Sequence, residues 1–408
     1  MKRSVGLFVL ALTALSISIA AIEKEPLQEY RSRRQRLVEG TANSVVVLYA
    51  APEQDLVEYR QENNFYYLTG FDEPDATMLV DASSSPMEEY LFIPDRKLSQ
   101  ERWTGEKLGP GPDAEGKTGF KHVLSLSDFP EVLRRTSGKA ERVYGLKNDF
   151  PRIQSLVPSA ALWDAAPMVA RLREVKSATE LQLLNRAIQI TMKAHEAAAR
   201  TISPGVMEYE VEAAIESEFR RNGAERPGFP SIVGSGPFST ILHYDKNNRK
   251  MEAGEVVVVD IGAEYGGYSA DITRTYPVSG KFSARQREIY NIVLEAQELG
   301  IRAVKPGIAM GGTGIHKLTS ELIKSRGYGE YFIHGTSHHI GLHVHDVGST
   351  NRLEAGMVIT VEPGIYLPEE KLGVRIEDDV LVTADGHRIL STFPKTIAAI
   401  ESLMAKAK

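Results

Sequence analysis

The chain has 408 residues, 42% hydrophobic and 25% charged, with 34 Gly, 20 Pro, 2 Trp and no Cys, a composition that excludes intrinsic disorder, collagen and disulfide scaffolds. A formal charge of −6 supplies no global basic field for nucleic acid, and the length allows two or three domains that each bury most of their apolar surface. Without Cys, thiolate catalysis, Cys-ligated zinc and iron–sulfur clusters are out of reach, so chemistry must come from Asp, Glu, His, Ser, Lys or a bound cation.

At the start of the chain, Met1-Lys2-Arg3 precedes an apolar run from Val5 to Ala21. The segment Ser18-Ile19-Ala20 has the small-x-Ala form of a signal-peptidase site. The pattern predicts a cleaved secretory signal over residues 1–20, and with it an exported protein, periplasmic or secreted, with no stable membrane span after cleavage. An uncleaved anchor is the rarer alternative, because the run is short for a spanning helix and contains Ser and Thr. A lipoprotein anchor is excluded, since there is no Cys to acylate. The same absence suits an oxidising compartment, where no thiol can mispair.

From about Glu23 to Pro167, short apolar runs (Ser44–Ala50, Thr77–Val80, Tyr90–Ile93, Arg142–Gly145) alternate with helical or turn-rich stretches, which predicts a mixed α/β domain. Ser177-Ala178-Thr179-Glu180 then has capping-box form and opens a helical pattern running to about Thr201. The domain boundary is placed just before it. The expected organisation is a leader (1–20), an N-terminal α/β domain (22–170) and a second domain (171–408).

The second region repeats itself. Ile190 to Val206 (ITMKAHEAAARTISPGV) matches Ile292 to Ile308 (IVLEAQELGIRAVKPGI) at an offset of 102, and the register holds through Met251–Gly254 against Leu353–Gly356 and Val256–Val259 against Val358–Val361. Two repeats are too few for a solenoid. They imply one domain of two pseudo-symmetric halves that face one another.

The same offset carries Asp260 onto Glu362 and His243 onto His345. Each carboxylate ends an apolar strand, so each is expected to be buried and to need a partner. After Asp260, a four-residue loop Glu264–Gly267 would pair Ala263 with Tyr268 and hence Asp260 with Asp271. Opposed carboxylates with Cβ atoms about 5 Å apart are destabilising unless a cation lies between them. Glu362 and Glu377 flank a longer excursion in the other half, so four carboxylates at matching places form the outline of a metal cage. Five of the 10 histidines crowd into His334–Asp346, a density that points to metal binding or proton transfer. Carboxylates with one imidazole suit Mn²⁺, Co²⁺, Zn²⁺ or Fe²⁺; hard oxygen ligands favour Mn²⁺, and four shared carboxylates are more than one such ion needs, so two are expected. Gly109–Ala114 nominally fits G-x-G-x-x-A, but its prolines remove the N–H groups a phosphate needs. No Walker loop, G-x-S-x-G elbow or H-E-x-x-H is present.

On these residues the second region resembles the pita-bread metallopeptidases, in particular the branch containing Xaa-Pro aminopeptidases (aminopeptidase P) and prolidases. His334–Asp346 fits that branch's signature, and Asp260, Asp271, His338, Glu362 and Glu377 fill its five metal-ligand places in order. The first domain, through Asn64–Pro74 (NFYYLTGFDEP), resembles the companion N-terminal domain of creatinase type. The resemblance implies an α/β (α+β) fold with a pseudo-two-fold catalytic domain. It also implies a metal-dependent aminopeptidase that releases the residue preceding an N-terminal proline by means of a bridging hydroxide on two divalent ions. In that scheme Asp260 and His338 each bind one ion, Asp271 and Glu377 bridge, and Glu362 is both ligand and proton-handling group. His243 and His345 donate hydrogen bonds to substrate and developing oxyanion. Arg375 orients a ligand carboxylate and helps line the proline side, with His334 a candidate for the same pocket. Trp103 aligns with a segment that in relatives can reach a neighbouring subunit's active site; as a plain sequence feature it is equally a core aromatic. The implied partners are Xaa-Pro peptides and further copies of the chain in a dimer or tetramer.

Two alternatives stay beside this expectation. A prolidase limited to Xaa-Pro dipeptides would use the same cage. A catalytically inactive pita-bread binding protein would be expected to lose ligand positions, whereas all five are filled here.

Overall fold

The computed structural model describes residues 24–54, 57–349 and 351–406; the expected leader, residues 1–20, lies outside them. Among the described residues no helix is long and apolar enough to cross a membrane. Six strands form one mixed sheet in the order His122–Ser125, Glu88–Ile93, Thr77–Asp81, Ser44–Tyr49, Arg142–Gly145, Leu162–Asp164. Val45, Val47 and Tyr49 of the central strand pack with Phe129, Leu133 and Ile153, while Val46 and Leu48 pack with Phe65 and Leu68. Because both faces are covered, the inner strands read as unbroken apolar runs, which is why the sequence reveals them. The two edge strands span four and three residues and carry polar side chains, too little for periodicity to register.

The helix Leu27–Val38 buries two arginines, Arg33 and Arg34. Arg33 stacks on Tyr67, with its guanidinium carbon 4.1 Å from the ring centroid. It meets Glu25 at 2.5 Å and Glu180 at 3.3 Å. Tyr268 donates from its hydroxyl toward both carboxylates, at 3.0 Å to Glu180 and 3.2 Å to Glu25, and Thr179 donates to Glu25. One buried cluster thus ties the N-terminal segment to the start of a helix and to a hairpin in the second region. Both acids have partners, as burial requires.

The long helix Ala178–Thr201 opens on the expected box, Ser177 bonded to the Glu180 N–H and Glu180 to the Ser177 N–H. The helix Ala284–Ala303 opens on a second box, Ser283 with Gln286, and its last residue is Thr201 displaced by 102. In each half a second helix follows, Glu208–Arg221 and Ile315–Ser325, and then strands. The first half carries Ile232–Ser235, Val256–Ile261 and Ile272–Pro277 in one antiparallel sheet; the second carries Val358–Val361 against Asp378–Val382. This is the pseudo-symmetric arrangement expected from the repeat.

The hairpin register differs from expectation. Tyr265 pairs with Tyr268 across a two-residue turn, so Asp260 lies opposite Thr273 rather than Asp271. Gly266 and Gly267 both have positive φ, 59° and 82°, the conformation that a two-residue turn matched to strand twist requires. The four-residue loop overlooked that Gly-Gly meets this demand. Asp271 remains on the face of Asp260, displaced diagonally by two residues, still within reach of a shared ligand.

Removing Arg33 strands two carboxylates in a dry environment. The Arg33→Ala variant is expected to lose about 3–5 kcal/mol of stability, read by chemical denaturation; a loss below about 1 kcal/mol would contradict the cluster's structural role.

Candidate metal centre

A cavity of about 560 Å³ lies between the two halves, and Asp260, Asp271, His338, Glu362, Glu377, His243, His345, His334 and Arg375 all line it. Strand ends deliver the acids: Asp260 sits near the end of Val256–Ile261, Glu362 follows Val358–Val361, and Glu377 lies between Leu372–Arg375 and Asp378–Val382. The halves are stitched beside them. The Glu377 N–H donates to the Thr273 carbonyl at 3.1 Å, and the Thr273 hydroxyl donates to the Glu377 carboxylate at 2.5 Å.

The donor set fits cations. One ligand atom each from Asp271, His338 and Glu377 lies within 4.8 Å of the others. His338 Nε2 is 3.5 Å from Asp271 and 3.3 Å from Glu362. Its Nδ1 lies 3.0 Å from the His339 carbonyl, a contact that leaves Nε2 as the ring atom that would face a cation among the acids. Asp260 Oδ1 and Asp271 Oδ1 are buried without any hydrogen-bond partner, an expensive arrangement that a bound cation resolves. Without positive charge between them, burial and mutual repulsion raise the pKa values of three of these acids. Burial, then the Glu377 and Asp260 charges, push Asp271 well above the usual carboxylate range. Burial, then Glu362 and Asp260, do the same to Glu377. Glu362 is raised by burial against the opposing pull of His338 and Arg375.

Arg375 is buried and spent on its neighbours: Nη2 donates to Asp260 at 2.7 Å, Nη1 to the Tyr366 hydroxyl at 2.9 Å and Nε to Thr273 at 3.1 Å. His334 shares that Tyr366 hydroxyl at 2.8 Å, and burial with Arg375 close by lowers its pKa to about 4, so the ring is neutral. His345 packs edge-on to His338 with centroids 4.5 Å apart and faces His243 at 6.3 Å. Burial first, then neighbouring His338, lower its pKa as well. Of the other histidines in the cluster, His339 is buried and bonded to the Ser349 carbonyl, and His343 is exposed; neither is among the cavity residues.

Sequence reasoning passed over several contributors. Tyr366 sits two period-2 steps beyond Glu362, a signal available but unused. Thr273 and Thr360 orient Glu377 and Glu362. Asp379 accepts the Asp271 N–H at 3.2 Å. Phe229, Ile232 and Leu242 form an apolar wall that no motif announces. Trp103 is absent from this cavity. It stands 90% exposed on the helix Glu101–Thr104, so it is not a core aromatic.

Comparison with known proteins agrees with the fold. The model of metallopeptidase family M24 matches residues 182–384, and that of the aminopeptidase P N-terminal domain matches residues 30–144. The Xaa-Pro aminopeptidase of Escherichia coli (strain K12) is 37% identical over 434 residues, covering 93% of this chain and 98% of that protein. The Xaa-Pro dipeptidase of Pyrococcus furiosus is 43% identical over 359 residues, covering 83% and 97%. The solved structure of aminopeptidase P from E. coli with the inhibitor Pro-Leu superposes with a TM-score of 0.87 at 35% identity, covering 94% of this chain and 99% of that one.

Because Asp271 and Glu377 carry raised pKa values when no cation is bound, a divalent ion must displace protons to enter. Binding to metal-free protein is expected to release protons and to tighten as pH rises above the ordinary carboxylate range. Titration calorimetry in buffers of different ionisation enthalpy reads this; an affinity independent of pH would contradict it.

Proposed function

The chain belongs to metallopeptidase family M24, and from that footing we propose that it is an Xaa-Pro aminopeptidase, releasing the first residue of peptides whose second residue is proline. The observation that carries this reading is the convergence of Asp260, Asp271, His338, Glu362 and Glu377 with His243, His345, His334 and Arg375 on one cavity. A binding protein without activity is not favoured, since every ligand position is filled and the relatives named above are peptidases.

Asp260, Asp271, His338, Glu362 and Glu377 would hold two divalent cations, with Mn²⁺ favoured by the oxygen-rich set and Co²⁺ or Zn²⁺ as alternatives. Bound there, such cations would supply a water nucleophile of lowered pKa and polarisation of the scissile carbonyl. The protein's own groups do the rest. Glu362, its carboxyl already raised by burial, takes a proton from the attacking water and returns it to the proline nitrogen as that nitrogen leaves. His243 and His345 direct N–H groups at the substrate and at the oxyanion. Arg375 fixes Asp260 and, through Tyr366, His334, so that the proline side of the cavity is rigid when the ring arrives. Trp103, exposed on its own chain, serves the cavity of another copy in a dimer or tetramer. Residues 1–20 direct export to the periplasm or medium.

Glu362→Gln is expected to abolish turnover while thermal unfolding stays close to wild type. His345→Ala is expected to lower kcat while the bound metal, measured by elemental analysis, changes little. Full activity in either variant would contradict the assigned roles. Xaa-Pro-Xaa tripeptides are expected to release their first residue. If an Xaa-Pro dipeptide is cleaved and the tripeptide is not, the enzyme is a prolidase instead.

A further inference from the structure

His243 stands in a stretch whose backbone pairing is limited to one isolated bridge, Met207 with Lys250, seven residues further on. Between the short helical turn ending at Thr240 and the strand beginning at Val256, the chain forms neither helix nor strand, yet His243 must face His345 across the cavity. His345 has a visible anchor: its neighbour Asp346 is paired with Arg173 and Lys176 in the interior. On the other side the corresponding work falls to a carboxylate outside the cavity lining, and we propose that Glu208 is the positioning residue of His243.

Glu208 is the first residue of the helix Glu208–Arg221 and is fully buried. One carboxylate oxygen accepts from Ser235, N–H at 2.8 Å and O–H at 2.6 Å. The other accepts the Tyr244 hydroxyl at 2.9 Å and the Arg249 N–H at 2.8 Å. Four donors thus converge on one buried anion, and two belong to the segment that carries His243: the residue beside it and one six positions on. Burial and the Glu208 carboxylate push the Tyr244 hydroxyl up to about 12, so it stays a donor at working pH. Its ring stacks on Phe238 with centroids 4.5 Å apart. Asn247, at φ 43°, closes the far end by accepting from the Val233 N–H and donating to the Ser231 carbonyl. Backbone pairing in this segment is confined to the isolated bridge of Met207 with Lys250; nearer His243 side-chain hydrogen bonds do the holding, and buried charge-assisted bonds are the strong kind. Glu208 matters to the reaction only insofar as His243 serves the peptidase chemistry above.

A Glu208→Gln variant keeps the shape but turns an amide NH₂ toward two donors, whichever way it flips. It is expected to lower kcat/KM by about tenfold in the wild-type background, and by less than about twofold when His243 is already Ala. Equal losses in both backgrounds would show a general structural role and overturn the assignment. Should Glu208→Gln fail to fold, Tyr244→Phe, which removes one donor, enters the same cycle with the same criterion. A crystal structure of the folded variant gives an answer without turnover, and so stands whether or not Xaa-Pro peptides are the substrate. The His243 ring is expected to leave its position 6.3 Å from His345; an unmoved ring would overturn the assignment.

Discussion

Four carboxylates crowded into one cavity repel one another, and most of this fold serves to hold them there. At an effective dielectric constant near 20, each like-charged pair at close range costs about 4 kcal/mol. No arrangement of Asp260, Asp271, Glu362 and Glu377 is tolerable without compensation. The protein supplies one permanent cation, Arg375 on Asp260, with the Thr273 hydroxyl on Glu377 and the Thr360 hydroxyl on Glu362. That is not enough, and two buried oxygens remain without partners. The residual demand for positive charge is the cavity's affinity for metal, written in negative space.

The second tier of the site follows the repeat. His195 on one long helix and Gln297 on the other are related by the same offset of 102. His195 lies with Nε2 2.9 Å from the Ile272 carbonyl, next to Asp271, and burial lowers its pKa to about 3, so it is a neutral donor there. Gln297 donates at 2.9 Å to Asp378, next to Glu377. Asp378 is itself neutralised by Arg274 and Lys395. Each half therefore uses its longest helix to brace the strand that carries an acid toward the other half. The side chains at the two helix positions differ while the bracing geometry is alike.

The N-terminal sheet is coupled to this centre by charge rather than by apolar contact alone. Arg33 with Glu25 and Glu180 reaches Tyr268 in the hairpin behind Asp260. Arg173 joins Asn64 of the first region to Asp346, next to His345. Tyr66 lies against the turn at Gly267, where an added Cβ would sit 3.0 Å from its ring. The first region thus clamps both the hairpin and the histidine-rich segment. Buried ionic contacts of this kind specify orientation strongly because any shift leaves a charge unpaired.

One helix start and the buried strands were legible in the chain, since each is set by neighbours within a few residues: Ser177 and Glu180 close a cap on their own backbone, and Val256–Val259 reads as a strand from its own composition; the 102-residue repeat was legible as self-similarity. Which residue faces which was not. The shift of Asp260 from Asp271 to Thr273 came from the φ values of two glycines, and the separation of His338 from His339 came from which ring met the Ser349 carbonyl and which the acids. Asp379 and Glu208 carry no local mark at all, because what they do depends on partners that only packing brings near. Local hydrogen bonding and hydrophobic periodicity are encoded over a single turn of helix or pair of strand residues. The cage is a balance of charges from segments about a hundred residues apart, and only the tertiary structure decides that balance.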